Sequence, residues 1–348
     1  MKFGVMYFMN IDLENNELIN ILQMFFSELP YRYEIKNTSH GDTDFRECVI
    51  AEWRSGEKFV IKLADNDFTF PEKIEIWKRC TEEYRKLGYY CPEIITSKRG
   101  SFPVVSYKGH NCAAWVEEFS RFTFVEERHT DDKKSFNIKW ADAAWIMTAK
   151  AAAKYFDFCK YPSGYCLFET FCPSDKTDEV LEVAMEWKKY ADKLPERFHT
   201  QIQEIWQRWL NNRNELEQIY DKLPTSVFQA DLNSTNLLID DNGEFVGVLD
   251  FNLSGRDVFL NYLFREIHYQ YSEEYLLETL KSVSQIYCFS ELEKQAAPLL
   301  YRCLVPLWHT GIDILKEGTD ENAIQIILDR VEELQTKEIA FAAYMSVD

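Results

Sequence analysis

The chain is poor in positive charge and in histidine and has no long apolar run, and each shortage removes a class of function. Lysine and arginine number 39 against 58 aspartates and glutamates, a formal net charge of −19. Binding to a phosphate backbone or an anionic membrane draws on a basic surface, so neither nucleic acid nor membrane is an expected partner. No window reaches the roughly 18 uncharged apolar residues that a membrane span needs. The apolar opening Met1–Met9 is too short for a secretory core with a cleavage site, and Asp12 and Glu14 soon follow. A strand or an ordered extension is expected there, in a cytoplasmic protein. The nine cysteines include no Cys-x-x-Cys pair, Cys166 and Cys172 being the nearest two. They read as small buried hydrophobes in a reducing compartment rather than as disulfides or zinc ligands. The six histidines are dispersed, and none joins a serine or cysteine in a recognisable nucleophile motif, which removes acyl transfer through a triad. Internal repeats and low-complexity tracts are absent.

What remains is a chain of 348 residues, 46% hydrophobic and 15% aromatic, able to bury a large core and longer than one ordinary domain. Its most informative stretch is Phe228-Gln229-Ala230-Asp231-Leu232-Asn233-Ser234-Thr235-Asn236, followed by Asp250-Phe251-Asn252. Between them lie two apolar runs, Leu237–Ile239 and Phe245–Leu249, joined by Asp241-Asn242-Gly243. An Asn-Gly pair between such runs predicts a hairpin, because both residues tolerate positive φ. The hairpin fixes the distance between the loop carrying Asp231 and Asn236 and the strand end carrying Asp250. Any one of the three residues alone is ordinary turn chemistry, since Asp and Asn side chains cap local backbone groups. All three in this order, around one hairpin, form the arrangement that orients a hydroxyl and holds Mg²⁺ against a nucleoside triphosphate.

This segment resembles the catalytic loop of the aminoglycoside phosphotransferase and choline kinase group, small-molecule kinases with a protein-kinase-like fold. Their pattern runs His-x-Asp-x-x-x-x-Asn, then a hairpin, then Asp-Phe-x. The resemblance implies that Asp231 is the catalytic base, that Asn236 is a metal ligand, and that Asp250 bridges Mg²⁺ and the phosphates. Two positions depart from the pattern: Gln229 replaces the histidine, and Asn252 replaces the more usual Gly or Asp. Glutamine donates and accepts at similar reach, so the loop geometry is expected to survive.

The same resemblance calls for a nucleotide-binding half in the N-terminal region. Tyr31–Ile35, Phe45–Trp53 and Lys58–Leu63 read as strands, with a polar turn from Asn37 to Thr43 closing the first pair. That turn holds a single glycine, Gly41, and no Gly-x-Gly-x-x-Gly, so it is equally an ordinary hairpin or a phosphate-covering loop. Lys62 ends the third strand where the family has its phosphate-binding lysine. A helix is expected over Pro71–Leu87, with Gly88 at its cap and Ile74, Trp77, Cys80, Tyr84 and Leu87 as the buried stripe. In the family a glutamate of this helix pairs with the lysine; Glu72 is the choice here, with Glu75 and Glu83 as alternatives. Ala114–Phe119, with Glu118, takes the place of the segment that links the lobes and reads the adenine edge.

The implied fold is α+β, a bilobal protein-kinase-like arrangement with a small β-rich N-terminal lobe over 1–119 and a larger, mainly helical lobe over 120–348. Helices are expected at Trp140–Phe158, Thr177–Leu194, Pro195–Tyr220, Glu273–Cys288, Ser290–Lys316 and from Asn322 onward. Loops near Phe122–Ser135 and Lys160–Lys176 fall where the family inserts substrate-binding elements. The implied chemistry is transfer of the γ-phosphate of ATP or GTP, with Mg²⁺, to a hydroxyl of a small molecule. Acidic pairs such as Glu117-Glu118, Glu126-Glu127, Asp131-Asp132 and Glu273-Glu274 are candidates for holding a cationic acceptor, an amino sugar or amino alcohol; each is equally a solvated face. Gln229 and the glycine-poor turn leave a rival open, a catalytically inactive pseudokinase scaffold that binds nucleotide. A protein kinase is disfavoured, because no Ala-Pro-Glu segment or long activation loop follows Asp250. The acceptor, the choice of nucleotide and the oligomeric state have no sequence marker.

Overall fold

A computed structural model of the chain describes residues 9–10, 16–41, 43–125, 136–270 and 272–346. Two compact units emerge. The first comprises Met1–Trp140, Cys172–Ser174 and Asp231–Asn252; the second comprises Ala141–Phe171, Asp175–Ala230 and Leu253–Asp348. The mixed class is as the sequence implies, with an antiparallel sheet in the N-terminal region and helices in the C-terminal region.

The first unit is built on strands β1 (Met9–Asn10), β2 (Arg32–Asn37), β3 (Phe45–Glu52), β4 (Lys58–Asp65), β5 (Ile94–Ile95), β6 (Val104–Tyr107) and β7 (His110–Glu118). They form one seven-stranded sheet in the order β1-β2-β3-β4-β7-β5, with β6 paired to β7. Side chains alternate between faces along each strand, and the register decides what each face holds. One face carries Tyr33, Val49, Ala51, Ile61, Leu63, Ala114 and Val116, and helix α1 (Asn16–Phe25) covers it with Leu18, Ile21, Leu22 and Phe25. Those four positions fall at i, i+3, i+4 and i+7, one stripe of a helix. The opposite face carries a row of side chains across four strands: Lys36 opposite Cys48, Cys48 opposite Lys62, and Lys62 opposite Trp115. The row before it holds Ile50, Val60 and Glu117. α1 is not anticipated from the sequence, yet it frees the second sheet face for chemistry by closing the first.

Helix α2 (Pro71–Lys86) begins and ends as expected, with Pro71 in its first turn. Gly88 at φ +91° closes it: the Tyr89 N–H reaches the Tyr84 carbonyl at 3.1 Å and the Gly88 N–H reaches that of Arg85 at 3.0 Å. Its buried side chains include Ile74, Trp77, Cys80 and Tyr84.

The later strands are β8 (Thr123–Phe124), β9 (Thr225–Phe228), β10 (Leu237–Ile239), β11 (Phe245–Val248) and β12 (Gly255–Val258). β10 and β11 form the expected hairpin, and β8 pairs on its outer side. Gly247 shows why this hairpin belongs to the first unit. Tyr90 donates to the Val246 carbonyl at 2.9 Å and accepts from the Val248 N–H at 3.0 Å. A Cβ at Gly247 would lie 1.8 Å from the Tyr90 carbonyl oxygen, so only glycine permits the approach.

The second unit holds α3 (Phe136–Ala152), whose first residues belong to the first unit, then α4 (Glu179–Ala191), α5 (His199–Tyr220), α6 (Phe259–Gln270), α7 (Glu273–Ser284), α8 (Glu291–Leu304), α9 (Ile312–Glu317), α10 (Glu321–Thr336) and α11 (Phe341–Tyr344). The single helix expected over Ser290–Lys316 is two, α8 and α9. Val305 still has helical dihedrals and bonds the Tyr301 carbonyl, but Pro306 has no N–H to continue the ladder and its ring crowds the preceding turn, so α8 stops at Leu304. Trp187 and Trp209 are fully buried, with indole N–H groups bonded to the Thr310 and Cys303 carbonyls at 3.1 and 2.9 Å. β9 and β12 pair as a two-stranded ribbon. Within it Asp257 is completely buried, accepting from Ser163, Tyr220, Asn261 and the Val258 N–H at 2.7–3.2 Å. Burial raises its pKa, and the bonds from Asn261, Ser163 and the Val258 N–H oppose that rise without cancelling it. Asp257 is therefore a structural hub of this unit, and Arg256 is paired with Glu169 at 2.6 Å. The pairs Glu126-Glu127 and Asp131-Asp132 lie outside the described residues.

Candidate active site

The loop from Asp231 to Asn236 is built by side chains bonding to nearby backbone, the local chemistry expected of Asp, Asn and Thr. Asn233 Oδ1 accepts from the Thr235 N–H at 2.9 Å, and the Asn236 N–H returns to the Asn233 carbonyl at 2.9 Å. Two carboxamides then hold Asp231: Asn233 Nδ2 donates to one carboxylate oxygen at 2.7 Å, and Asn236 Nδ2 to the other at 3.1 Å. Asn236 Nδ2 also bonds the Asp231 carbonyl at 3.0 Å. This assigns the amide orientation and turns Asn236 Oδ1 away from Asp231. The Leu249 N–H bonds the Asn236 carbonyl at 3.0 Å, so the loop is tied to the residue before Asp250.

Asp250 adopts φ +59°, a left-handed conformation that costs a residue with a side chain on the order of 1 kcal/mol. Its neighbour Phe251 is buried and packs edge-on against Tyr84 of α2 at 5.4 Å. The Asp250 carboxylate lies 3.6 Å from Lys62 Nζ. Four of the predicted residues are thereby linked in a chain: Asn236 bonds Asp231, Lys62 pairs with Asp250, and the Leu249 backbone joins the two halves. They share one unit with a cavity of about 180 Å³ lined by Thr38, Arg46, Lys62, Trp115, Asp250 and Asn252, among others.

The ion pair of Lys62 departs from expectation. Its partners are Asp250 and Glu117, the latter at 3.1 Å, and not Glu72. Register supplies the reason. Lys62 pairs with Trp115 and Val60 with Glu117, so Glu117 is the diagonal neighbour of Lys62 on the same sheet face. Trp115 Nε1 donates to the same Glu117 oxygen at 2.8 Å and holds the carboxylate in place. Glu72 sits in the first turn of α2. Burial opposes the charge on Lys62, but Asp250 and Glu117 outweigh it and hold the ammonium well above its ordinary pKa. Cys48, opposite Lys62, has its thiol pKa raised by burial, with the lysine pulling the other way.

Gly41 lies in the turn after β2, at φ +74°, with no atom within 4 Å of where a Cβ would stand. Glu118 ends β7, and its carboxylate pairs with Arg85 at 3.3 Å. Its N–H is used by the Glu93 carbonyl at 2.9 Å, and the N–H of Phe119 by that of Lys58 at 3.3 Å. Sheet pairing thus occupies the two donors that the linker position would offer to a base. Gln229 is fully buried. The sequence offers no expectation for Arg46, and Glu117, expected only as half of an acidic pair for a cationic acceptor, pairs with Lys62 instead; strand alternation marks Glu117 and Arg46 as facing the lysine only once the register is known.

Among the described residues no group of three or more His, Cys, Asp or Glu could hold a metal alone. Asp250 and Asn236 nevertheless suit Mg²⁺, which keeps a near-octahedral oxygen shell and takes only one or two protein carboxylates beside phosphates and water. Asn252 adds a buried carboxamide oxygen without a hydrogen-bond partner, lining the same cavity.

Comparison with known proteins bears on the loop directly. Residues 165–261 match the model of the phosphotransferase enzyme family. That stretch contains the Asp231 loop, the hairpin and Asp250, so the resemblance seen in the sequence is borne out where its motifs lie. No curated protein matches the chain in sequence. The fold is shared with solved structures along nearly the whole length. An aminoglycoside phosphotransferase from Alicyclobacillus acidocaldarius is 11% identical over 94% of both chains, with a TM-score of 0.50. The amicoumacin kinase hAmiN, solved with AMP-PNP, Ca²⁺ and Ami, is 14% identical over 93% of both chains, with a TM-score of 0.53. A microcompartment-associated aminopropanol kinase is 10% identical over 91% of this chain and 94% of its own, with a TM-score of 0.53. At such identities the likeness is one of fold.

Proposed function

We propose that the protein is a small-molecule kinase that transfers the γ-phosphate of ATP or GTP to a hydroxyl of an amine-bearing acceptor. One observation carries this: the Lys62 ammonium lies 3.6 Å from Asp250, and Asp250 follows a residue bonded to the loop that presents Asp231. Lys62 binds the α- and β-phosphates. Asp250 and Asn236 would hold Mg²⁺, which, when bound, neutralises charge on the phosphates. Asp231, fixed by Asn233 and Asn236, accepts a hydrogen bond from the acceptor hydroxyl and orients it in line with the γ-phosphorus. Because the transition state is loose, position and charge count for more than the strength of the base. Half-buried Ile50 and Val60, one row from Lys62 on the same face, offer an apolar bed for the base. The acceptor class rests on the net charge of −19 and on acceptors named for the similar folds, an aminoglycoside and aminopropanol.

The test is direct. Purified protein is incubated with Mg²⁺, ATP or GTP, and a panel of amino sugars and amino alcohols, and products are read by mass. One acceptor should gain a single phosphate with stoichiometric nucleoside diphosphate, and Asp231→Asn should abolish that gain while still binding nucleotide. A protein that binds nucleotide yet phosphorylates nothing across hydroxyl classes would be the pseudokinase scaffold instead.

A further inference from the structure

The turn after β2 has one glycine, so its backbone has limited freedom to wrap N–H groups around a phosphate. Side-chain charge faces the cavity in its place. Arg46 pairs with Ala64 and Lys62 with Cys48, which puts the two cations diagonally on adjacent strands, on one sheet face. Both line the same cavity, and Thr38, whose N–H bonds the Arg46 carbonyl at 2.9 Å, lines it beside them. Arg46 is held rather than mobile. Its Nε lies 2.9 and 3.0 Å from the two oxygens of Asp44, and Nη2 pairs with the same carboxylate. Asn66 braces that carboxylate through Nδ2 at 2.8 Å, and the guanidinium lies over the Phe68 ring at 5.4 Å. A guanidinium has five donors, and the clamp uses the Nε and Nη2 edge. Among the described residues, Nη1 has no hydrogen-bond partner.

We propose that Arg46 is a second phosphate-binding cation, which takes the nucleotide's phosphates beyond the α-phosphate through its unclaimed edge while Asp44 fixes its direction. The order along the sheet face fits a triphosphate: Ile50 and Val60, then Lys62, then Arg46, with successive rows about 7 Å apart. An arginine suits the task because it is always charged and its planar fork matches phosphate oxygens, which compensates for the missing glycines. The proposal rests on the nucleotide reading of this site.

Titration calorimetry on the full chain with Mg²⁺ and adenosine, AMP, ADP and ATP separates the two. The wild type should bind ATP more tightly than AMP. Arg46→Ala should weaken ATP roughly tenfold or more, as expected for a lost charged hydrogen bond, and leave adenosine and AMP within twofold. Arg46→Lys, which keeps charge but not the fork, should fall between. Equal losses for all four ligands would mean that Arg46 only anchors the turn, and unchanged ATP affinity would mean no contact; either overturns the proposal while the kinase reading stands. If Arg46→Ala does not fold, Arg46→Lys decides alone, through the same ATP-to-AMP ratio. A wild type that binds none of the four overturns both.

Discussion

Lys62 governs the electrostatics of the site, and Glu117 determines where its ammonium points. Both side chains are largely sheltered, 18% and 14% exposed, so their pairing is less screened than a surface ion pair. Glu117→Gln should raise the KM for nucleotide about tenfold and lower kcat less, whereas Glu72→Ala should change neither by more than twofold. Steady-state kinetics with the true acceptor reads both, and the reverse ranking would restore the helix glutamate. Asp231→Ala should cost roughly 10²–10⁴-fold in turnover and leave nucleotide affinity intact; full turnover in that variant would remove Asp231 as the base. That Asp231, Asn236 and Asp250 come near one another was legible in the sequence because the geometry is local, made by side chains bonding within a few residues and by one Asn-Gly turn. Glu117 was not, because its neighbour across the sheet depends on which strand pairs with β4. Composition does not state that.

Among the elements, two carry the placement of these residues. The hairpin of β10 and β11 sits against Tyr90 through Gly247, at a distance no side chain tolerates. Gly247→Ala should lower the melting temperature and, by displacing the hairpin that carries Asp250, remove the Mg²⁺-dependent part of nucleotide binding. A variant with unchanged binding would show that the hairpin is positioned by other contacts. Helix α1 covers the apolar sheet face, and Leu22 within it is 1% exposed. Leu22→Ala should cost about 2–5 kcal/mol, measured by denaturant unfolding, although Leu22 touches nothing in the site. α2 and the hairpin announce themselves through Pro71, Gly88 and Asn242-Gly243, residues with strong backbone preferences. α1 has no such marker, and the interruption between α8 and α9 follows from Pro306 within an otherwise periodic stretch.

At the scale of the molecule, the four predicted catalytic and phosphate-binding residues fall in one compact unit, although Asp231 and Asp250 are distant in sequence from Lys62. The second unit holds charge of a different kind. Burial, reinforced by Glu182, Glu266 and Asp175 and opposed by Arg265, pushes the Glu179 carboxyl up to about 7. Its folded form binds a proton more tightly than its unfolded form. The stability it contributes is therefore fully present below pH 4.5, its ordinary value, and is lost as pH rises to about 7. Glu179→Gln should flatten the difference in melting temperature across that window, and a parallel pH profile would show that Glu179 is not the group responsible. A sheet-rich N-terminal and a helical C-terminal region could be read from strand alternation and helical periodicity, but the expected boundary after residue 119 did not show that Asp231–Asn252 groups with the first unit. The acceptor could not, since it depends on side chains brought together by tertiary packing.

The proposed activity requires a Mg²⁺-dependent nucleotide site at Lys62, Asn236 and Asp250. The measurement that addresses it most directly is thermal melting with ATP or GTP, with and without Mg²⁺, on the wild type and on Asp250→Ala. A ligand at a hundred times its Kd stabilises the folded state by about 2.7 kcal/mol, enough to see as a shift. The melting temperature should rise with nucleotide only when Mg²⁺ is present, and the rise should vanish in Asp250→Ala. No shift with either nucleotide, or a shift that survives loss of the Asp250 carboxylate, would contradict it.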